Sequence, residues 1–142
     1  MSYVEDSLTD GEELKYKTKL HWVIFVDSVG AIALSFLITQ VNHLLAAFVL
    51  AAGVIVFIID YLDYLTSEFA ITNKRVIMKK GFIARMTHEI GLEKIESIDV
   101  SQSIFGRLLN YGTVFINGTG TSSQPFKEIA KPIEFKKVVQ ER

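Results

Sequence analysis

The chain has 142 residues, of which 49% are hydrophobic, and it has a formal net charge of -1 at pH 7 and no cysteine. This length leaves room for one small domain beside a membrane segment, and the lack of cysteine excludes disulfide frameworks and cysteine-based zinc or catalytic sites. After residue 65 there are twelve Lys or Arg against eight Asp or Glu, far from the strongly basic surface typical of nucleic-acid-binding proteins.

Residues 1–19 form a polar lead-in with five acidic residues against three lysines. Thr9 with Glu12, or Asp10 with Glu13, matches a helix-capping pattern, and this predicts a short helix over residues 12–20. The segment is acidic, and the apolar run that follows is too long for the core of a cleavable signal peptide. We therefore expect residues 1–19 to stay attached as a cytoplasmic lead-in.

Residues 20–65 are dominated by two apolar runs, at about 22–41 and 44–63, with Asn42 and His43 between them. Each run has about 20 residues, which as a helix crosses a hydrocarbon layer of roughly 30 Å. Two such runs with almost no connector predict a transmembrane helical hairpin. Lysines precede the first run and basic residues follow the second, whereas the connector has none, so both termini are predicted to be cytoplasmic.

Polar and small residues inside the runs offer two interpretations. Ser28, Ser35 and Thr39 in the first run, and Ala47 and Ala51 in the second, recur at helical spacing. Such faces pack the hairpin or bring copies together. Asp27 lies about five residues inside the first run. It either accepts a hydrogen bond from Tyr61 or reaches interfacial water, or it takes part in a proton or ion relay.

Residues 66–142 change from helical to alternating periodicity. Phe69, Ile71, Val76 and Met78 alternate with polar residues on both sides of a Thr-Asn-Lys turn, which predicts a β-hairpin. Further strands are predicted over residues 85–92, around 98–100 and over 113–117. A short helical or looped excursion is predicted over 104–111, a Gly/Ser/Thr loop over 119–124 and a last strand over 125–130. A closing helix is predicted to start at Pro132.

These residues resemble a known family. The segments FAITNKRVI (69–77), IGLEKI (90–95), SQS (101–103) and GRLLNYGTV (106–114) are similar to the bacterial pleckstrin-homology-like domain of small membrane proteins. In those proteins a hairpin of two spans precedes the domain. The resemblance implies a membrane α-helical hairpin followed by an α+β PH-like domain, an antiparallel sandwich or partly open barrel with a C-terminal helix. It also implies residence in the bacterial inner membrane, without a defined activity.

Five basic residues are candidates for facing anionic lipid, because eukaryotic PH domains often bind phosphoinositides with a basic first loop. They are Lys74, Arg75, Lys79, Lys80 and Arg85. Their positive charge attracts an anionic membrane surface. The three histidines are scattered, and no phosphate-binding glycine loop is present, so no catalytic residue, cofactor or metal is predicted.

The sequence therefore predicts a non-enzymatic, membrane-anchored interaction or assembly module that presents a PH-like domain at the cytoplasmic face. Its expected partners are membrane lipids and a second copy or another membrane protein. Nucleic acid and small-molecule substrates are not expected. Two alternatives are a small transport or channel component that uses the polar face of the hairpin, and a sensor of anionic lipid head groups.

Overall fold

The computed structural model describes residues 2–141. Strands β1 to β4 form a four-stranded sheet in that order, and β5 to β7 form a three-stranded sheet; all neighbours are antiparallel. The elements in chain order are α1 (Tyr3–Ser7), β1 (Leu14–Thr18), a 3-10 turn (Trp22–Phe25), α2 (Val26–Ile38), α3 (His43–Thr66), β2 (Glu68–Thr72), β3 (Arg75–Lys80), β4 (Met86–Gly91), β5 (Ile95–Ser101), α4 (Ile104–Leu109), β6 (Tyr111–Gly118), β7 (Thr121–Ala130) and α5 (Pro132–Gln140).

The main core lies between the two sheets and α5. The predicted inward set of β2 and β3 is confirmed, because Phe69, Ile71, Val76 and Met78 are all buried in this core. From the other sheet, Val114, Ile116 and Phe126 join them, and Phe135 and Val139 of α5 close the open side. The rings of Phe69 and Phe126 meet edge to face with their centroids 6.3 Å apart. The alternating pattern therefore identified the main core face correctly.

The opposite face of β2 and β3 is also covered, which the alternation did not predict. Val4 of α1 packs on Ala70 and Ile77, and all three are fully buried. Glu68 holds this short helix in place by accepting hydrogen bonds from the Val4 N–H and the Ser2 hydroxyl. The apolar side chains on both sides of these strands fit a sheet that is buried on two faces.

The predicted helix over residues 12–20 is wrong, because residues 14–18 pair with β2 as strand β1. The contacts that the segment makes as a strand outweigh the capping pattern, since Tyr16 of β1 packs edge-on against Phe135 and Thr18 is buried. Just beyond, Leu20 bridges to Ile129 and the His21 N–H donates to the Glu128 carbonyl. The expected lead-in over residues 1–19 thus contributes a strand to the first sheet and leads straight into a link with the second.

Helices α2 and α3 form an antiparallel pair joined by a connector of four residues. Ser28 and Ser35 are buried in the contact, as their spacing predicted, whereas Thr39 lies partly exposed in the connector. The hydroxyls of Ser28 and Ser35 donate to the carbonyls of Phe25 and Ile32, each three residues earlier in the chain. On α3, Ala46 and Gly53 are buried in the contact, whereas Ala47 and Ala51 are exposed, so their small face does not pack the hairpin and its alternative role in bringing copies together stays a prediction. A Cβ at Gly53 would lie 3.0 Å from Ile32 Cγ1 and 3.2 Å from Ile32 N, so a glycine there permits close approach.

Among residues 2–141, one helix, His43–Thr66, is long and apolar enough to cross a bilayer by length and composition. Its most apolar window has a mean hydropathy of 2.5 and is 11% buried within the protein. The segment Trp22–Ile38 is apolar but shorter. The first of the two predicted spans therefore forms a shorter helix than its run of residues 22–41 indicated.

The remaining strand and helix predictions hold with one exception. The hairpin with its turn at Asn73 and Lys74, the later strands, the short helix α4 and the closing helix at Pro132 are confirmed. The predicted loop over residues 119–124 is wrong. Thr119 and Gly120 make a tight turn, and β7 starts directly after it at Thr121. Ser and Thr are compatible with strands, and pairing with β6 satisfies their backbone groups.

Candidate membrane-facing surface

The two sheets share one end at which both long helices attach. This helix-proximal end contains Thr18, Glu68, Lys80, Met86, Ser101, Tyr111 and Ala130, as the strand registers show. The connections at this end are residues 81–85 between β3 and β4, and α4 between β5 and β6. The opposite, distal end has the turns at residues 73–74, 92–94 and 119–120.

Helix α3 joins the first sheet through one residue, the fully buried Ser67. The Ser67 N–H donates to the Asp63 carbonyl at 2.9 Å, and its hydroxyl oxygen accepts from the Gly81 N–H at 3.4 Å. The Asp63 carboxylate accepts from the Phe82 N–H at 3.0 Å. The last turn of α3 is therefore bonded directly to the β3–β4 connection, and this fixes the depth of that connection relative to the helix.

The start of α2 is fixed to the second sheet in a similar way. The His21 ring stacks on Tyr111, just after the end of α4, with ring centroids 5.1 Å apart. His21 Nδ1 also accepts the Val23 N–H, which starts the 3-10 turn. Because Trp22 lies beside this ring, α4 is held at the level of an exposed tryptophan, a residue type enriched at membrane–water boundaries.

Helix α4 presents its apolar residues outward and its glycine inward. The Ser103 hydroxyl accepts the Gly106 N–H at the N-terminus, and Asn110 ends the helix in the left-handed conformation with φ of 61°. A Cβ at Gly106 would lie 2.7 Å from the Tyr111 carbonyl oxygen, so this side of the helix fits only a glycine. Ile104, Phe105 and Leu108 occupy the opposite, solvent-exposed side.

The connection over residues 81–85 has the same character. Phe82 and Ile83 are exposed, and Met86 at the start of β4 is exposed beside them. Basic residues flank them, since Lys80 precedes the connection and Arg85 ends it. Apolar tips bordered by cations are typical of segments that lie in the interfacial layer of an anionic membrane.

The five basic residues proposed from the sequence separate into distinct positions. Lys80 and Arg85 lie at the helix-proximal end, where a membrane-facing role is geometrically consistent. Lys79 lies over the Tyr3 ring, 5.0 Å from its centroid. Lys74 lies at the distal end, where its ammonium donates to the Asp10 carbonyl. The turn that resembles the basic first loop of eukaryotic PH domains is thus far from the helices.

Arg75 is committed to interactions inside the domain rather than to lipid. Its guanidinium donates to both carboxylate oxygens of Glu12 at 2.9 and 3.1 Å, to Glu89 at 2.6 Å and to the Ser7 carbonyl at 2.7 Å. The Glu12 side chain is almost fully buried. This cluster ties the N-terminal segment to β3 and β4, and it leaves Arg75 little capacity for an external phosphate.

The pKa of Glu12 reflects this cluster. Burial raises the pKa, but hydrogen bonds from the Thr9 N–H, Arg75 and Thr72 outweigh it and lower the pKa from 4.5 to about 2. The carboxylate is therefore ionised wherever the folded chain is studied near neutral pH. Sequence reasoning assigned Glu12 only to a helix cap, because its contact with Arg75 joins residues 63 positions apart.

A cleft between α4 and α5, with a volume of about 470 Å³, was missed by the sequence analysis. It is lined by Val100, Gln102, Arg107, Ile133, Lys136, Lys137 and Gln140. Three cations and the Gln140 amide around one opening supply donors suited to a phosphate or carboxylate, whereas the Gln102 amide already donates to the Gly106 and Tyr111 carbonyls. The Lys-Lys pair at 136–137 was the available signal, but nothing in the sequence shows that Arg107 lies opposite it.

Asp27 lies in the first turn of α2, on its outer, exposed side. Within residues 2–141 its carboxylate has no hydrogen-bond or ion-pair partner, and the predicted bond from Tyr61 is not formed. Within the same residues no group of three His, Asp or Glu side chains is arranged to hold a metal ion. The structure thus places Asp27 away from the α2–α3 contact.

Comparison with known proteins agrees with this architecture. The family model described as Bacterial PH domain matches residues 24–142, which is most of the chain. The chain belongs to the bacterial PH domain family. PH-like domains are generally non-catalytic binding modules. Neither the curated proteins nor the solved structures contain a match to this member of the bacterial PH domain family.

The Glu12–Arg75 cluster predicts a pH-dependent stability. The pKa of Glu12 is lower in the folded chain than its ordinary value, so its contribution is complete above about pH 4.5 and is lost as the pH falls towards 2. Glu12→Gln is expected to lower the unfolding free energy at pH 7 by roughly 2 kcal/mol. The measurement is thermal unfolding of the detergent-solubilised full chain from pH 7 to pH 3.

The matched control is Glu13→Gln, because Glu13 is exposed and adjacent. The difference between wild type and Glu12→Gln should shrink as the pH falls, while Glu13→Gln should follow wild type throughout. A Glu12→Gln deficit of equal size at pH 7 and pH 3 would contradict the assignment.

Proposed function

We propose that this chain is a membrane-anchored, non-enzymatic interaction or assembly module that holds its PH-like domain against the cytoplasmic face of the bacterial inner membrane. The observation that carries the proposal is the exposure of α3, an apolar helix of 24 residues left largely uncovered by the rest of the protein. Exposed apolar surface of this extent is unfavourable in water and is satisfied in a bilayer.

The dimensions of the helix pair support two spans. Helix α3 is about 36 Å long, more than the roughly 30 Å of hydrocarbon it has to cross. The shorter segment Trp22–Ile38, a 3-10 turn followed by α2, reaches about 27 Å, and the connector at residues 39–42 adds to it. The surplus of about 6 Å corresponds to the last four residues of α3, so Asp63 and Tyr64 would lie at the head-group level.

The assembly part of the proposal rests on β4. Within residues 2–141 this strand pairs with β3 alone, and its Met86, Thr87 and Glu89 are exposed. An edge strand has free backbone donors and acceptors that pair readily with a strand of another chain. A second copy in the same membrane, held at the same depth by its own helix pair, would present the same edge at the same height.

Transport through the helix pair receives less support. Ser28 and Ser35 are the polar residues buried in the α2–α3 contact, and their hydroxyls donate to Phe25 and Ile32 of the same helix. Asp27 faces outward. The residues described here supply no series of ionisable groups along that contact, which a proton or ion relay requires.

A second candidate function is recognition of an anionic lipid head group in the cleft between α4 and α5. The observation that favours it is the convergence of Arg107, Lys136 and Lys137 around one opening. The cleft starts at the helix-proximal end, where Val100 and Gln102 leave β5, so it would lie near the head groups of the leaflet that anchors the chain.

The absence of native cysteine makes the topology directly testable. In intact spheroplasts, His43→Cys at the start of α3 should react with a membrane-impermeant maleimide, whereas Glu93→Cys at the distal end of the domain should react only after lysis. Both residues are exposed, so access and not burial decides the labelling. Equal labelling of both positions before lysis, or release of the chain by alkaline carbonate, would contradict the proposed anchoring.

Assembly through β4 is tested by oxidative cross-linking in native membranes. Thr87→Cys should give a disulfide-linked dimer, while Glu93→Cys, exposed but outside the edge strand, should not. The yield for Thr87→Cys should persist when expression is lowered. Monomer alone for both variants would argue against pairing through β4.

Head-group recognition predicts a charge-dependent loss of binding. The probe is a short-chain fluorescent phosphatidylglycerol that binds to the full chain in neutral detergent. Its binding should weaken at least about tenfold in the triple variant Arg107→Glu, Lys136→Glu and Lys137→Glu. High salt should weaken its binding to the wild type. Lys74→Glu, exposed at the distal end, is the matched control and should bind normally. Equal loss in both variants would indicate non-specific attraction.

A further inference from the structure

The exposed apolar residues of the PH-like domain are concentrated at its helix-proximal end. Phe82 and Ile83 are 52% and 74% exposed, and Ile104, Phe105 and Leu108 are 85%, 69% and 79% exposed. The distal turns carry Asn73, Lys74, Glu93, Lys94, Thr119 and Gly120 instead. The domain is therefore apolar on the side from which the helix pair leaves it and polar on the far side.

These side chains are exposed because the fold directs them outward. Helix α4 is capped at both ends, and its inward position at Gly106 has no space for a side chain. The Gln102 side chain amide donates to the carbonyls of Gly106 and Tyr111, which fixes α4 to the start of β6. Rotation of α4 to bury Phe105 would break these contacts, so its apolar side needs a partner outside the domain.

Contacts to the helix ends set the depth of both apolar segments. The Phe82 N–H donates to the Asp63 carboxylate in the last turn of α3, and the His21 ring, next to Trp22, stacks on Tyr111 just after the end of α4. The two segments thus lie at the level of the helix ends, one beside α3 and the other beside the start of α2. Lys80, Arg85 and Arg107 border them and complement anionic lipid phosphates.

We propose that α4 and residues 81–85 insert into the interfacial layer of the leaflet that α2 and α3 cross, with Ile104, Phe105, Leu108, Phe82 and Ile83 among the upper acyl chains. The occupant of this surface is lipid, since the surface lies at the head-group level fixed by the helix ends. The inference rests on the proposed membrane anchoring. It adds that the domain itself is partly embedded and does not stand free in the cytoplasm.

The test uses the full chain reconstituted in vesicles of phosphatidylcholine and phosphatidylglycerol. Trp22 is the single tryptophan, so Trp22→Phe gives a background for single reporters. Phe105→Trp and Ile83→Trp should lose emission to lipids brominated near the head-group end of the acyl chain, and less to lipids brominated near the methyl end. Leu14→Trp, an exposed apolar position at the distal end of β1, should keep its emission with both.

A fourth reporter, Leu50→Trp in the apolar N-terminal half of α3, distinguishes the proposed anchoring from the proposed insertion. If Leu50→Trp is quenched by the deep bromines while Phe105→Trp and Ile83→Trp resemble Leu14→Trp, the anchoring stands and the insertion is overturned. If Leu50→Trp is not quenched either, the proposed anchoring fails with it. Shielding of Phe105→Trp from aqueous acrylamide without quenching by any lipid would show a protein interface and would also overturn the insertion.

Discussion

The junction at Ser67 couples the position of the PH-like domain to the helix pair. One buried residue separates a 24-residue apolar helix from the central hairpin of the first sheet, and its backbone and hydroxyl are both hydrogen-bonded to neighbouring elements. The Asp63 carboxylate adds a second link by accepting the Phe82 N–H. A flexible linker would let the domain move independently of the helix pair. This junction instead makes the orientation of the helix determine the orientation of the sheet.

The second sheet is attached to the start of α2 in a similarly direct way. Residues 18–21 run from β1 across to β7 and then start the 3-10 turn, so one short segment joins both sheets and α2. The His21 ring extends this link to Tyr111 and the end of α4. Both sheets are thus attached to the helix pair at one end, and the connections at that end carry the exposed apolar residues. The attachment of the domain to the helices and the apolar character of this end therefore both follow from how the strands are connected there.

Much of the fold could be predicted, because local signals determine it. Alternation in residues 69–78 gave the hairpin and its core side, and Pro132 gave the start of α5. The errors arise where distant residues decide the outcome. The capping pattern around Glu12 was overridden by pairing of β1 with β2, and Glu12 itself binds Arg75. The Gly/Ser/Thr segment became a strand because β6 offered a partner. Arg75 was a candidate for lipid binding but is paired inside the domain, whereas Arg107 was not a candidate and lines the cleft. Only the fold shows which cations are paired inside the domain.

The links at Ser67 and Asp63 fix the domain rigidly to the helix pair. The most direct measurement is the distance distribution between nitroxide labels at His43→Cys, at the far end of the helix pair, and Glu93→Cys, at the distal end of the domain, by double electron–electron resonance in magnetically dilute proteoliposomes. Both positions are exposed and the chain has no other cysteine. We expect one narrow distribution, which should broaden when a flexible linker is inserted after Ser67. A broad distribution in the unmodified chain would contradict this rigid attachment.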